Sequence, residues 1–394
     1  MSRGVHAVRE FRLPGRRSFF RGVTSQSDGS SAGTVAETWD RVRATVDLGA
    51  LRRNAALARC LAGEASLCAV VKSDAYGHGV RSVVPALMPL VDSFAVATLE
   101  EGEAVRTIAR EHAIVVFSGF NHPAQLPRFN SLRLQPVIHQ PGQLSWLRDH
   151  GGAAAGCWLK VDTGMNRLGF SMGQAGSAFR ALAGCCDEKP GLMSHFAVAD
   201  TPDHPMNAEQ LSRFLEVARC FDTTCSMANS AALASLVDSR LGMVRPGLML
   251  YGITPFADPS RGPVELSPVM RFESRIAAVK DLSPGSTVGY GATWHTETVR
   301  HMAIVGAGYG DGYPRAIGNR GHAIVSGKQA PVIGRVSMDT LALDVSECGP
   351  VAVGDPVEFW GTHLNAATVA AWDGTIPYEL LCRVSSRVPR VAVN

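Results

Sequence analysis

The chain has 394 residues, 46% of them hydrophobic and 19% charged, with a formal net charge of +3. That length exceeds one ordinary domain, so two globular domains with large cores are the starting expectation. The charge balance gives no argument for nucleic acid or a membrane surface as partner, and no run approaches the ~20 apolar residues that span a bilayer. Nine cysteines are scattered without a metal-like C-x-x-C pair. They suggest no metal site, and free thiols in a reducing compartment rather than a disulfide framework.

Residues 1–40 stand apart. Within the first 35 or so, Arg3, Arg9, Arg12, Arg16, Arg17 and Arg21 face only Glu10 and Asp28, and the segment runs into a polar stretch from Ser25 to Gly33. With no apolar segment behind the charges, a secretory signal is not expected. The composition fits a disordered or targeting-like extension. The expected location is cytoplasmic, or organellar if the extension is a transit peptide.

From Arg43 the pattern is regular. Ala44–Asp47 reads as a short strand, and Leu48–Ala62 as an amphipathic helix with Asp47 as its N-cap. Short apolar runs of the kind buried on both faces of a parallel sheet follow at Leu67–Val71, Ser93–Ala97, Ile114–Ser118, Leu134–Ile138, Gly156–Val161, Gly191–Phe196, Cys225–Ala228 and Met243–Arg245. Helical stretches such as Glu100–Arg110 and Ala208–Phe221 separate them. Eight strands alternating with helices predict an α/β fold, a TIM-like (β/α)8 barrel over residues 41–267; no G-x-G-x-x-G follows the first strand to suggest a dinucleotide fold. Beyond it, β-rich runs at Ser274–Lys280, His301–Val305, His322–Val325 and Leu341–Val345, broken by Gly turns, predict a mostly β domain over 268–394.

A barrel carries its chemistry on the loops after its strands. Lys72, Arg167, His195, Ser230 and Arg245 each fall at or just after the end of a different expected strand. Lys72 ends an apolar strand before a Gly-rich polar turn, and desolvation there would lower its amine pKa and favour Schiff-base chemistry. A lysine snorkelling from the barrel rim fits the position equally well. By themselves, Arg245 fits a rim salt bridge, His195 a core histidine, Ser230 a helix N-cap, and Tyr290 an exposed loop aromatic.

Motifs in order change that balance. Val70-Val71-Lys72-Ser73-Asp74-Ala75-Tyr76-Gly77-His78-Gly79 resembles the pyridoxal-lysine motif of the alanine racemase family. Lys160-Val161-Asp162-Thr163-Gly164-Met165-Asn166-Arg167-Leu168-Gly169, Ser194-His195-Phe196, Asn229-Ser230-Ala231-Ala232 and Arg245-Pro246-Gly247 follow, with Tyr251-Gly252. Then come Val288-Gly289-Tyr290-Gly291, Gly308-Tyr309-Gly310-Asp311-Gly312-Tyr313-Pro314-Arg315, Gly334-Arg335-Val336-Ser337-Met338-Asp339 and Tyr378-Glu379-Leu380. The similarity runs from about Ala44 to the C-terminus. Its departures are Ser337, where a cysteine is frequent, and Ser73-Asp74 beside the lysine.

The resemblance implies racemisation of L- and D-alanine with pyridoxal 5′-phosphate in a homodimer. Lys72 would hold the cofactor covalently, release it to the incoming amino acid, and serve one face of the substrate Cα. Tyr290 would serve the opposite face from the other subunit. A tyrosine hydroxyl, ordinarily near pKa 10, is a poor base, and Arg167 is implied to support its phenolate and to contact the substrate carboxylate. Lys160 matches a lysine that is carbamylated in many members. Arg245, backed by His195, would face the pyridine nitrogen; an arginine stays protonated and leaves the ring a weaker electron sink. Tyr76, Ser230, Gly247 and Tyr378 would hold the phosphate, Met338 would meet the substrate carboxylate through its amide, and Tyr309 would narrow the access route. Two alternatives stay open: racemisation of serine or another amino acid on the same scaffold, and a non-catalytic protein that binds the same cofactor. A pyridoxal-dependent decarboxylase shares the architecture but normally presents an acidic partner to the ring nitrogen, against which Arg245 argues.

Overall fold

The computed structural model describes residues 41–153, 155–258 and 265–394. The N-terminal extension read as residues 1–40 lies outside the described residues. The eight expected barrel runs all form strands: β2 (Ser66–Val70), β3 (Ser93–Val96), β4 (Ala113–Val116), β5 (Leu134–Ile138), β6 (Trp158–Lys160), β7 (Gly191–Met193), β8 (Cys225–Ser226) and β9 (Met243–Val244). All neighbouring pairs are parallel, and β9 closes on β2 through Ser66↔Met243 and Leu67↔Val244. Neighbouring residues that point to opposite faces, such as Leu67 and Cys68, Phe94 and Ala95, and Ile114 and Val115, are all buried, so these strands contribute to the core on both faces. The few polar side chains inside are paired: the Thr163 and Ser194 hydroxyls meet at 2.9 Å, and Ser226 donates to the Met243 carbonyl at 2.7 Å.

The helices around the barrel are α1 (Leu48–Ala62), α2 (Val80–Leu87), α3 (Leu99–Arg106), α4 (Leu126–Ser131), α5 (Pro141–Asp149), α6 (Met172–Ala183), α7 (Pro205–Ala218) and α8 (Ser230–Ser235). The expected N-cap is present: Asp47 Oδ1 accepts from the Ala50 amide at 2.7 Å. Helix α3 starts with a capping box formed by Thr98 and Glu101.

The second part is mostly β, with β10 (Met270–Leu282), β11 (Thr287–Val288), β12 (Trp294–His295), β13 (Arg300–Val305), β14 (His322–Val325), β15 (Lys328–Ile333), β16 (Leu341–Asp344), β17 (Pro356–Trp360) and β18 (Arg390–Val393), plus α9 (Ala366–Asp373) and α10 (Pro377–Cys382). Its core centres on Phe272, Tyr313, Phe359 and Trp360, with Phe272 stacked on Trp360 at 4.3 Å.

Two features differ from the sequence reading. The first strand, β1 (Val42–Asp47), does not join the barrel whose range it was given; it lies between β10 and β18 in the second sheet. Arg43 and Thr45 both donate to Glu273 Oε1 on β10 at 2.7 Å, and Val42 and Ala44 enter the second core. Cys157 and Cys186 form a disulfide where free thiols were expected. Parallel contacts bring the two segments together: Ala153 bridges Cys186, and the Gly191 amide donates to the Cys157 carbonyl at 2.9 Å. No helix among the described residues is long and apolar enough to cross a membrane.

Candidate active site at the barrel mouth

Strand β2 delivers Lys72 to the mouth of the barrel. Burial lowers the amine below the usual lysine range; Arg167 adds to this, while Glu101 and Cys382 oppose it. The backbone then turns unusually. Ser73, Asp74, Ala75 and Tyr76 have φ of 53°, 52°, 56° and 52°, four consecutive residues in the left-handed region. Each costs an L-residue roughly 1–2 kcal/mol, so the turn needs support. Asp74 Oδ1 accepts from the Val80 amide at 2.8 Å, the Gly77 amide donates to the Ser73 carbonyl at 2.9 Å, and Arg390 Nε donates to the Gly77 carbonyl at 3.0 Å. Buried His78 lies 3.1 and 3.0 Å from the Ala75 and Tyr76 carbonyls through Nδ1, and burial pushes its pKa down to about 4, so the neutral Nδ1–H tautomer donates there. Gly77 is required: a Cβ there would stand 2.2 Å from the Leu381 carbonyl of α10.

The turn aims Tyr76 inward. Its ring lies 4.8 Å from Tyr251 and 5.7 Å from Tyr378, and Tyr251 donates to the Val70 carbonyl at 3.0 Å. Burial raises Tyr76 above the usual tyrosine range and pushes Tyr378 up to about 12, so both are hydroxyl donors at neutral pH. Opposite, the Gly247 and Met249 amides donate to Ser230 Oγ at 2.8 and 3.3 Å, and a Cβ on Gly247 would stand 2.6 Å from the Tyr76 hydroxyl. Converging amides and hydroxyls, with a backbone that approaches closely because it lacks a side chain, suit an anion such as a phosphate.

Arg245, buried, follows the C-terminal end of β9. Its Nη2 donates to the Ser194 carbonyl at 2.7 Å and lies 3.3 Å from His195 Nδ1, and Nη1 bonds Ser226 Oγ. Burial pushes it down to about 10, which leaves it a cation at neutral pH. His195 is held well below the usual histidine range by burial, then by Lys160 and Arg245, and is neutral. Lys160, at the end of β6, is pushed down to about 7 by burial, with Arg245 and Arg167 adding to the shift. A neutral amine among cations is chemically the form that reacts with carbon dioxide.

Lys72, Tyr76, Lys160, Arg167, His195, Ser230, Arg245, Gly247 and Tyr378 therefore share one mouth. Tyr290, Tyr309 and Met338 are a second group on the β domain. The Gly310 amide donates to the Met338 carbonyl at 2.9 Å, and the Arg335 guanidinium packs against Gly291 beside Tyr290. Among the described residues, none of these three makes a hydrogen bond or ring contact with the mouth. They are 71%, 41% and 52% exposed, large apolar side chains open to solvent on one domain. Reading the sequence gave no role to Glu101, whose only local mark was the Thr98-x-x-Glu101 spacing, or to Cys382 and Tyr251.

Comparison with known proteins fits this picture. The family model described as "Alanine racemase, N-terminal domain" matches residues 46–255, and "Alanine racemase, C-terminal domain" matches 269–392. The chain is 41% identical over 349 residues to an alanine racemase of Legionella pneumophila (strain Lens), covering 88% of this chain and 98% of that protein. It is 41% identical over 353 residues to the biosynthetic alanine racemase of Pseudomonas aeruginosa, again over 88% and 98%. The crystal structure of biosynthetic alanine racemase from P. aeruginosa superposes with a TM-score of 0.85 at 39% identity, covering 90% of this chain and 99% of that one. An alanine racemase from Bartonella henselae, with covalently bound pyridoxal phosphate, gives 0.83 at 27% identity over 90% and 99%.

Proposed function

The chain belongs to the alanine racemase family and interconverts L- and D-alanine with pyridoxal 5′-phosphate, and from that premise we propose that Lys72 and Tyr290 are its two acid/base groups. The observation that carries the reading is the lowered amine of Lys72 beside Arg167 at a barrel mouth built to hold an anion. Tyr76, Ser230, the Gly247 amide and Tyr378 would hold the cofactor phosphate, and Lys72 would carry the cofactor through its aldehyde carbon. The bound cofactor supplies the electron sink that makes the α-proton of alanine acidic. Arg245, a cation backed by neutral His195, would face the ring nitrogen, which would limit that sink and disfavour side reactions.

Racemisation requires one group to take the α-proton and another to return a proton from the opposite side. The Lys72 amine, its pKa lowered first by burial, is the group on one face. Tyr290 is the group on the other face, contributed by the partner subunit of a homodimer. The exposure of Tyr290, Tyr309 and Met338 on one domain supports that arrangement. The Arg167 guanidinium stabilises the tyrosine as an anion and receives the substrate carboxylate, together with the Met338 amide. Lys160, as a carbamate, would turn from a repelling neighbour of Arg167 into an anion that holds it. Tyr309 narrows the route in and so favours a small side chain.

In this division residues 41–267 supply the cofactor lysine and most of the phosphate cradle, and 268–394 supply Tyr378 and the second acid/base group, with β1 structurally part of the second sheet. We place the protein in the cytoplasm, because seven of its cysteines stay unpaired. The test is to load the protein with pyridoxal phosphate, supply L-alanine, and follow D-alanine by chiral chromatography, with L-serine and L-lysine in parallel. Approach to a 1:1 mixture with alanine alone supports the proposal; faster conversion of serine or lysine moves the substrate.

A further inference from the structure

Lys72 sits at the start of a strained turn, and its next backbone N–H does not bond within that turn. The Ser73 amide donates instead to Glu101 Oε1 at 2.7 Å, while Glu101 Oε2 accepts from the Ala97 amide at 2.7 Å and the Thr98 amide at 3.3 Å. A capping-box glutamate accounts for only the Thr98 bond, the longest of the three. The two shorter bonds join the ends of β2 and β3. Glu101 is also the carboxylate that acts on the Lys72 amine, opposing Arg167, with the Cys382 thiol next; Cys382 in turn bonds the Ser73 side chain.

We propose that Glu101 is a positioning residue for Lys72: its carboxylate pins the peptide that follows the lysine and so fixes the direction from which the amine reaches the cofactor aldehyde. The inference rests on Lys72 as the cofactor-bearing lysine. In the bonding step the amine attacks the aldehyde carbon, a C=N bond forms, and the carbonyl oxygen leaves as water with the two amine protons. A misdirected amine weakens that bond and leaves the phosphate cradle intact. Glu101→Gln is the informative change, because an amide has one accepting oxygen. Its NH₂ must then face a backbone N–H at Ser73 or at Ala97.

Cofactor-free protein titrated with pyridoxal 5′-phosphate and, separately, with pyridoxine 5′-phosphate tests this. The second compound lacks the aldehyde and reports on the cradle alone. For Glu101→Gln the expected result is about tenfold weaker binding of pyridoxal phosphate with unchanged binding of pyridoxine phosphate. The midpoint of the pH dependence of aldehyde capture should also fall, because the carboxylate that favours the charged amine is gone. Equal loss of both ligands, or loss of neither, overturns the proposal. Thr98→Ala removes the helix cap but keeps the Glu101–Ser73 bond, and should leave both affinities in place; if it reproduces the Gln phenotype, Glu101 acts only as a cap and the proposal falls. Wild-type protein that binds pyridoxine phosphate but never captures the aldehyde would refute Lys72 as the cofactor lysine, a failure distinct from that of Glu101.

Discussion

Replacing Gly247 by alanine should cost cofactor affinity far more than its single methyl group suggests. The new Cβ would meet the Tyr76 hydroxyl oxygen at 2.6 Å and Cζ at 3.2 Å. An ordinary contact needs roughly 3.4 Å, so the hydroxyl must retreat by about 0.8 Å. Tyr76 has little room to do so: it is 5% exposed and packed between Tyr251 and Tyr378. A donor displaced that far no longer reaches a phosphate oxygen. Losing one hydrogen bond to a charged group costs about 1.5–3 kcal/mol, or about ten- to a hundred-fold in cofactor affinity. The overpacking itself should cost about 1–3 kcal/mol of stability, seen as several degrees in Tm. Fluorescence titration of the cofactor-free variant gives the affinity and calorimetry gives the Tm. Gly247→Ala combined with Tyr76→Phe removes the clashing oxygen, so it should recover the Tm and leave the affinity low. Wild-type affinity in the single variant would refute the assignment of Tyr76 and Gly247 to one phosphate cradle.

Tyr290→Phe should lower turnover by about 10²–10⁴-fold, the usual worth of a general acid or base, and keep the visible absorption of the bound cofactor; loss of that absorption would count against the role. Lys72→Ala and Tyr290→Phe should each be inactive, yet a refolded 1:1 mixture should regain about a quarter of wild-type activity, since half the dimers are mixed and each carries one intact site; no recovery would argue against sites shared between subunits. Burial and the nearby arginines depress Lys160 in the folded state to about 7, so folding must keep this amine neutral while the unfolded chain protonates it. In buffer free of carbon dioxide, stability relative to Lys160→Met should therefore fall as pH drops from the ordinary lysine range towards 7 and level off below, as read by denaturant melts. With ¹³C-bicarbonate, a carbamate NMR signal absent from Lys160→Met should report modification of this lysine.

The eight barrel strands were legible because each is a short apolar run bounded by polar turns, a local property of the chain. The partner of β1 was not: Val42–Asp47 has strand character, but the choice of Glu273 as the acceptor for Arg43 and Thr45 is made across the fold. The left-handed turn after Lys72 left little local trace, since among Ser73, Asp74, Ala75 and Tyr76 only Asp74 is of a type that favours positive φ. The Thr98-x-x-Glu101 spacing marks a helix start and is silent about Ser73, whose approach is tertiary. The Cys157–Cys186 pair left no mark either, because its spacing matches no framework and parallel neighbours create it. Family resemblance singled out Tyr290, whose Gly-Tyr-Gly setting reads locally as an exposed turn.

The placement of β1 bears on how the chain folds. Ala44 pairs with Phe272 on one side and with Arg390 on the other, so the first described strand waits for nearly the last one. The barrel is in effect an insertion between two adjacent strands of another sheet. During synthesis its βα units can collapse in order as they emerge, whereas the β domain stays open until the C-terminus leaves the ribosome. Contacts of such sequence separation form slowly, and an uncovered strand is a site for mispairing in the interval. Truncation after residue 267 would therefore leave β1 without either neighbour, and a barrel freed of that liability should begin at Asp47, which caps α1.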